Sequence, residues 1–211
     1  MAGRHLIVLG THNRKKRREL AELLEPYGLE LATLADFPGA LEVVEDGHDF
    51  AANARRKACQ QASHLGLWVL AEDSGLCVDA LHGAPGVRSA RYSGYRATDA
   101  SNNDRLLWEM RDVPPSRRTA QYTCHITLAD PVGGIRAEAE GRCRGRIAPG
   151  PRGVAGFGYD PLFELLEYHR TFAELGDAVK AVLSHRGRAV RRLIPQVAAL
   201  VRQGAWQTPA N

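Results

Sequence analysis

Two adjacent carboxylates at the end of an apolar run constrain this chain more than any other feature. Leu67 to Ala71 reads as a buried strand, Glu72 and Asp73 follow directly, and Ser74-Gly75 is a turn signal. An ionised carboxylate taken out of water is costly, so the fold must solvate, pair or neutralise both acids. Successive side chains on a strand point to opposite faces, so the two cannot face one ion while the strand stays regular, and a turn would relax that rule. On this stretch alone, a capping or turn acid pair at a strand end is the favoured reading.

Length and composition set the frame. The chain has 211 residues, 44% hydrophobic and 25% charged, enough for a sizeable core in one large domain or in two lobes sharing a sheet. No apolar run approaches the roughly 20 residues of a membrane span, and the N-terminus lacks an apolar leader, so a cytoplasmic location is expected. Cys59, Cys77, Cys124 and Cys143 are widely separated with no C-x-x-C, which suggests neither a zinc site nor a disulfide framework. A formal charge of +4 with short basic runs at Arg14 to Arg18 and Arg186 to Arg192 argues weakly for nucleic acid and is compatible with a small polyanion.

Taken in order, Leu6 to Leu9 is a buried strand leading through Gly10-Thr11-His12-Asn13 into a helix whose Leu20, Leu23, Leu24 and Tyr27 recur at helical spacing. Thr11 or Asn13 can cap it, and Pro26-Tyr27-Gly28 stops it. The loop opens onto backbone N–H groups at the positive end of a helix dipole, with Lys16 one turn in, which makes a phosphate cradle. It is not a P-loop, and a plainly capped helix with a solvated basic face accounts for it as well. A second strand is expected near Leu29 to Leu34, a loop from Asp36 to Asp46, and a helix from about Asp49 to Leu65. Phe50, Asn53 and Lys57 fall on one face of that helix.

Beyond the acidic strand end, Val78 to Ala80 reads as a further short strand, and His82 to Gly86 as a turn near Arg88, Arg91 and Arg96. Thr98 or Asp99 starts a helix running to Arg111. Thr119 to Asp130 and Ile135 to Ile147 form a hairpin around Pro131 to Gly134, with His125 as a packed histidine rather than a ligand. Glycines flank Phe157 in Gly156-Phe157-Gly158-Tyr159-Asp160-Pro161, where backbone can bend around a flat ligand and the ring can stack on it. A helix near Asp177 to Leu183 and Ser184-His185-Arg186-Gly187 precede a last helix with Val190, Ile194, Val197 and Val201 on its buried stripe, and a loose tail is expected from Gly204. The mixture argues an α/β fold with a mixed sheet, parallel early and antiparallel in the hairpin.

These pieces together resemble the inosine triphosphate pyrophosphatase family. The matching blocks are Thr11-x-Asn13-x-x-Lys16-x-x-Glu19, Glu45-x-Gly47-x-x-Phe50-x-x-Asn53-Ala54-x-x-Lys57-Ala58 and Ala71-Glu72-Asp73-Ser74-Gly75-Leu76. Gly83-Ala84-Pro85-Gly86-Val87-x-Ser89-Ala90-Arg91-Tyr92, Gly156 to Pro161 and Ser184 to Gly187 follow in family order. The resemblance implies an elongated mixed β-sheet with surrounding helices, residues 1–203 forming one domain of two lobes with a central active-site cleft, a C-terminal tail over 204–211, and a homodimer. It implies Mg2+-dependent hydrolysis of ITP, dITP and XTP to the monophosphate and pyrophosphate, which keeps deaminated purines out of DNA and RNA.

By that resemblance Asp73 activates water, and Glu45 and Asp73 are the metal-associated acids, with Glu72 a possible third. Thr11, His12, Asn13, Arg14, Lys15 and Lys16 hold the triphosphate, and Lys57, Ser74, Phe157, Gly158, Tyr159, Asp160, Lys180, His185 and Arg186 are substrate contacts. Phe157 can stack on the purine, while His185 and Arg186 offer donors to a 6-oxo group that adenine lacks. The family commonly has glycine at the positions of His12, Lys15 and Ala155, and many bacterial relatives have Asp in place of Glu72. The competing readings are a Maf-like nucleotide pyrophosphatase of different base preference and, from another class, a noncatalytic nucleotide- or RNA-binding protein. Acids gathered in a cleft would repel a nucleic-acid backbone, so neither a stable nucleic-acid complex nor a membrane partner is expected.

Overall fold

The structure, a computed structural model, describes residues 5–206. Strand β1 (Leu6–Leu9) runs parallel to β2 (Glu30–Thr33) and to β3 (Val69–Val78), and the first two are joined by helix α1 (Arg14–Leu24). Helix α2 (Phe50–Leu65) leads into β3; Asp49 caps it by accepting from Ala52 N, and Gly66, left-handed at φ 65°, ends it. Next come α3 (Asp99–Glu109), β4 (Thr119–Ala129), β5 (Ile135–Ile147), β6 (Phe163–Leu165), β7 (Arg170–Thr171), α4 (Phe172–Leu183) and α5 (His185–Arg202). The sheet order is β2-β1-β3-β4-β5-β6-β7, with β5, β6 and β7 antiparallel. This is the mixed α/β sheet expected from the sequence.

The chain divides into two compact units, the boundaries falling inside β3 after Asp73, inside β4 before Cys124, inside β5 after Gly141 and inside α5 after Gly187. The first unit holds the chain up to Asp73, Cys124–Gly141 and the chain from Arg188 onward. Its strand β1 shows why alternation matters. Ile7 and Leu9 enter a cluster with Leu20 and Leu24 of α1 and Val190, Leu193 and Val197 of α5. Val8, between them, joins Ala58 and Ala62 of α2. One strand thus feeds two cores, each fully buried Leu or Ile contributing roughly 1.5–3 kcal/mol. The second unit, Ser74–Thr123 and Arg142–Gly187, packs Leu76, Leu106, Met110, Tyr122, Phe163 and Phe172 together.

Some local details differ from expectation. Strand β3 does not turn at Ser74-Gly75 but continues to Val78, and only then does a single 3-10 turn, Asp79–Leu81, replace the short strand expected there. Gly75 and Leu76 are buried and Leu76 N donates to Ser89 Oγ at 2.9 Å, so extended backbone is satisfied where a turn would expose it. Helix α4 is broken at Gly176, non-helical at φ 80°: the part after it is the helix expected near Asp177 to Leu183, and a first turn from Phe172, capped reciprocally by Thr171 and Glu174, precedes it. The short strands β6 and β7 carry too few residues for alternation to reveal them. Finally, the start of the expected tail is packed, Trp206 stacking on Trp68 with centroids 4.1 Å apart; the remainder, 207–211, lies outside the described residues.

The first unit also places a half-buried acid on β5. Glu138 accepts from Arg55 at 2.8 and 2.9 Å, from Thr127 at 2.9 Å and pairs with His125 at 3.2 Å. Burial opposes the charge, but these hydrogen bonds and the Arg55 guanidinium outweigh it and hold the carboxyl down at about 2, below its ordinary 4.5. A depressed pKa stabilises the fold above 4.5 and ceases to do so as pH falls through 2. Glu138→Gln is expected to lose about 1 kcal/mol at neutral pH in urea denaturation, a figure reduced for solvent screening. The gap to wild type closes as the medium is acidified through that window; a gap that persists in strong acid would assign the loss to packing instead.

Candidate functional site

In the first unit, four elements deliver charged groups to one place. Strand β3 supplies Glu72 and Asp73, α2 supplies Asn53 and Lys57, α1 supplies Lys16, and the loop before α2 supplies Glu45. Because β3 stays regular, the two adjacent acids engage different partners. Glu72, fully buried, lies 3.3 Å from Lys16 Nζ and accepts from Cys124 Sγ at 3.2 Å. Asp73, 5% exposed, accepts from Asn53 Nδ2 at 3.0 Å and lies 3.6 Å from Lys57 Nζ. Lys57 Nζ also donates to Glu45 Oε2 at 3.0 Å.

Asn53 ties the loop to the acid. Its Oδ1 accepts from Gly47 N at 2.8 Å while its amide nitrogen serves Asp73, so both ends of the side chain are specified. A Cβ at position 47 would stand 2.6 Å from that Oδ1, which is why the loop carries glycine there. Further along the loop, Gln61 binds Leu41 through both its backbone N and O, at 3.1 and 2.6 Å. Burial raises the Asp73 carboxyl above its usual range, and Glu45 adds to this, despite Lys57, Lys16 and the Asn53 hydrogen bond. Lys57 is pushed down by burial but further up by Asp73, Glu45 and Glu72, so it stays an ammonium.

Among the described residues no three His, Cys, Asp or Glu side chains are placed to hold a metal by themselves. Glu45 and Asp73 nevertheless converge on one cationic position, filled by Lys57 Nζ. Two hard oxygen donors fit Mg2+, which keeps most of its waters and is typically held by one or two carboxylates plus substrate phosphate. The first loop differs from expectation in one respect. Asn13 Oδ1 caps α1 by accepting from Lys15 N and Lys16 N at 3.0 and 3.1 Å, and Thr11 Oγ1 accepts from Asn13 N at 3.2 Å. Those N–H groups are therefore taken by the cap, and an anion would meet the dipole and the lysine charges instead. His12, Arg14 and Lys15 are exposed, with His12 Nε2 3.4 Å from Leu41 O.

The second unit gathers most of the other candidates. Ser184 caps α5 by accepting from Gly187 N at 3.1 Å, which puts His185 and Arg186 in the first turn. Arg186, 1% exposed, donates to Ser74 Oγ at 3.0 Å. Phe157 faces two cations, Lys180 Nζ 4.2 Å and the Arg186 guanidinium 6.0 Å from its ring centroid. Asp160 Oδ2 accepts from Lys180 Nζ at 2.6 Å and from Phe157 N at 2.8 Å, locking the loop. Gly156 has φ +76°, and a Cβ there would collide with the Asp160 carboxylate. Asn103 donates to Gly158 O at 3.0 Å.

Tyr159 and Asp160, expected as substrate contacts, are 3% and 1% exposed; the Tyr159 hydroxyl donates to Ser89 O at 2.9 Å. Their side-chain bonds to Ser89, Phe157 and Lys180 shape the loop that carries Phe157. The sequence placed Asn53 on the correct helix face without giving it a role. It gave no signal for Cys124 beside Glu72, nor for Tyr122, whose ring lies parallel to that of His185 at 4.6 Å. Such partners come from distant strands and leave no local motif.

Comparison with known proteins places the chain among relatives of one kind. The Ham1 family model matches residues 7–196. A dITP/XTP pyrophosphatase from Rhodopirellula baltica is 55% identical, over 94% of this chain and 96% of its own. One from Desulforamulus reducens is 50% identical, over 88% and 92%. Among solved structures, a HAM1 protein from Coxiella burnetii superposes with a TM-score of 0.82 at 37% identity, covering 92% of this chain and 98% of its own. The match extends over nearly the whole chain in every case, and the chain belongs to the Ham1 family.

Proposed function

We propose that this protein hydrolyses deaminated purine nucleoside triphosphates, ITP, dITP and XTP, to the monophosphate and pyrophosphate. The observation that carries the reading is the convergence of Glu45, Lys57 and Asp73, tied by Asn53, at the midpoint of β3. The names of the R. baltica and D. reducens relatives support this base class over a Maf-like preference. A cluster of buried acids also disfavours a binding protein for nucleic acid, whose phosphates it would repel.

Cleavage between the α- and β-phosphates needs a base for water and positive charge for the leaving pyrophosphate. Asp73 is the base: its carboxyl, raised by burial, holds a proton more readily than an exposed aspartate and is aimed by Asn53. Lys16 and Lys57 supply fixed positive charge to the phosphates. Mg2+ bound through Glu45 and Asp73 would neutralise further charge on the phosphate oxygens. Phe157 stacks on the purine, and His185 and Arg186 donate to its 6-oxo group. An adenine amino group in the same place would leave those donors facing another donor, which discriminates against ATP.

Two measurements test this reading. Pyrophosphate release from ITP is expected with Mg2+, to stop when the metal is chelated, and to return when it is restored; release that continues in chelator would remove the metal from the mechanism. Asp73→Asn is expected to fold, by circular dichroism, while kcat falls by at least about a hundredfold. Undiminished turnover in that variant would transfer the role of base to Glu72 or Glu45.

A further inference from the structure

We infer that Tyr122 is a positioning residue for base selection, acting through His185. The inference rests on the assignment of His185 to the 6-oxo group. The two rings are stacked, with centroids 4.6 Å apart and planes 9° from parallel. Tyr122 is 6% exposed and His185 4% exposed, so neither has room to swing. Tyr122 is itself held from the side: Phe163 lies 4.6 Å away at 52°, and Phe163 stacks on Phe172 at 5.5 Å and 12°.

This arrangement supplies what the helix cap cannot. Ser184 fixes the backbone at the start of α5, but the last torsion of a histidine is broad, and backbone alone does not set the plane of the ring. A parallel aromatic face does, because rotating the imidazole would push its edge into the tyrosine ring. With Tyr122 over one face, the plane of the imidazole is set, and its nitrogens point along that plane from its edge. The direction of a hydrogen bond to the purine is therefore set from β4, a strand with no motif of its own. Since a misdirected donor is lost to a 6-oxo base but is of no use to a 6-amino base in either geometry, Tyr122 governs the ratio of the two activities more than their level.

The test is the ratio of kcat/KM for ITP to that for ATP in Tyr122→Leu, Tyr122→Phe, His185→Ala and the Tyr122→Leu/His185→Ala double variant. Tyr122→Leu is expected to lower the ratio about tenfold, chiefly through KM for ITP, and Tyr122→Phe, which keeps the ring, to restore it. In the His185→Ala background the Tyr122→Leu change is expected to have no further effect on the ratio. If Tyr122→Leu depresses ITP and ATP turnover alike while His185→Ala changes the ratio, the inference falls and the base assignment stands. If neither single variant changes the ratio, both fall. Should the leucine variant not fold, Tyr122→Met, which fills the space without an aromatic face, takes its place in the same comparison.

Discussion

Burying Glu72 and Asp73 inside the sheet is the constraint on which the first unit depends. Removing one partner from a buried ion pair typically costs 3–5 kcal/mol, because the remaining charge has neither water nor counter-ion. Every neighbouring element carries an answer to that cost. Helix α1 reaches Glu72 with Lys16, α2 reaches Asp73 with Lys57 and Asn53, and Cys124 of β4 donates to Glu72. Lys57 lies 3.0 Å from Glu45 and 3.6 Å from Asp73, and Lys16 lies 3.3 Å from Glu72, so each acid of the cluster has an ammonium beside it.

The second unit solves a different problem with different means. There a flat ring must be presented on a loop without being lost into the core. Asp160 accomplishes this from below, bonding both the Phe157 amide and the Lys180 ammonium, while Lys180 in turn sits over the ring. The same loop is anchored at its other end through Arg152, which pairs with the buried Glu164 at 2.6 Å. Rigid support behind a partly exposed aromatic lowers the ordering cost of any contact its ring makes.

Much of this was legible in the chain because the relevant signals are local. Caps at Asn13, Asp49 and Thr98, the helical spacing of Phe50, Asn53 and Lys57, and the hairpin around Pro131 to Gly134 each occupy a few consecutive residues. What escaped is non-local or contradicts a local rule. Ser74-Gly75 has turn chemistry, yet tertiary burial and the Ser89 hydroxyl keep β3 extended. Gly176, non-helical at φ 80°, separates the helix legible in the sequence from a turn before it that periodicity does not show. The Tyr122–His185 stack joins residues from β4 and α5, and nothing near either one in sequence predicts the other.

The small bridge made by Asn53 has a spectroscopic corollary. The Gly47 amide proton and the Asp73 carboxylate share a single side chain between them, one hydrogen bond from each end. Whatever binds at that carboxylate, or leaves it, changes the polarisation of the amide group and hence the field felt by the Gly47 proton. A single backbone resonance, on a residue with no side chain and no chemistry of its own, is thereby wired as a reporter on the acid.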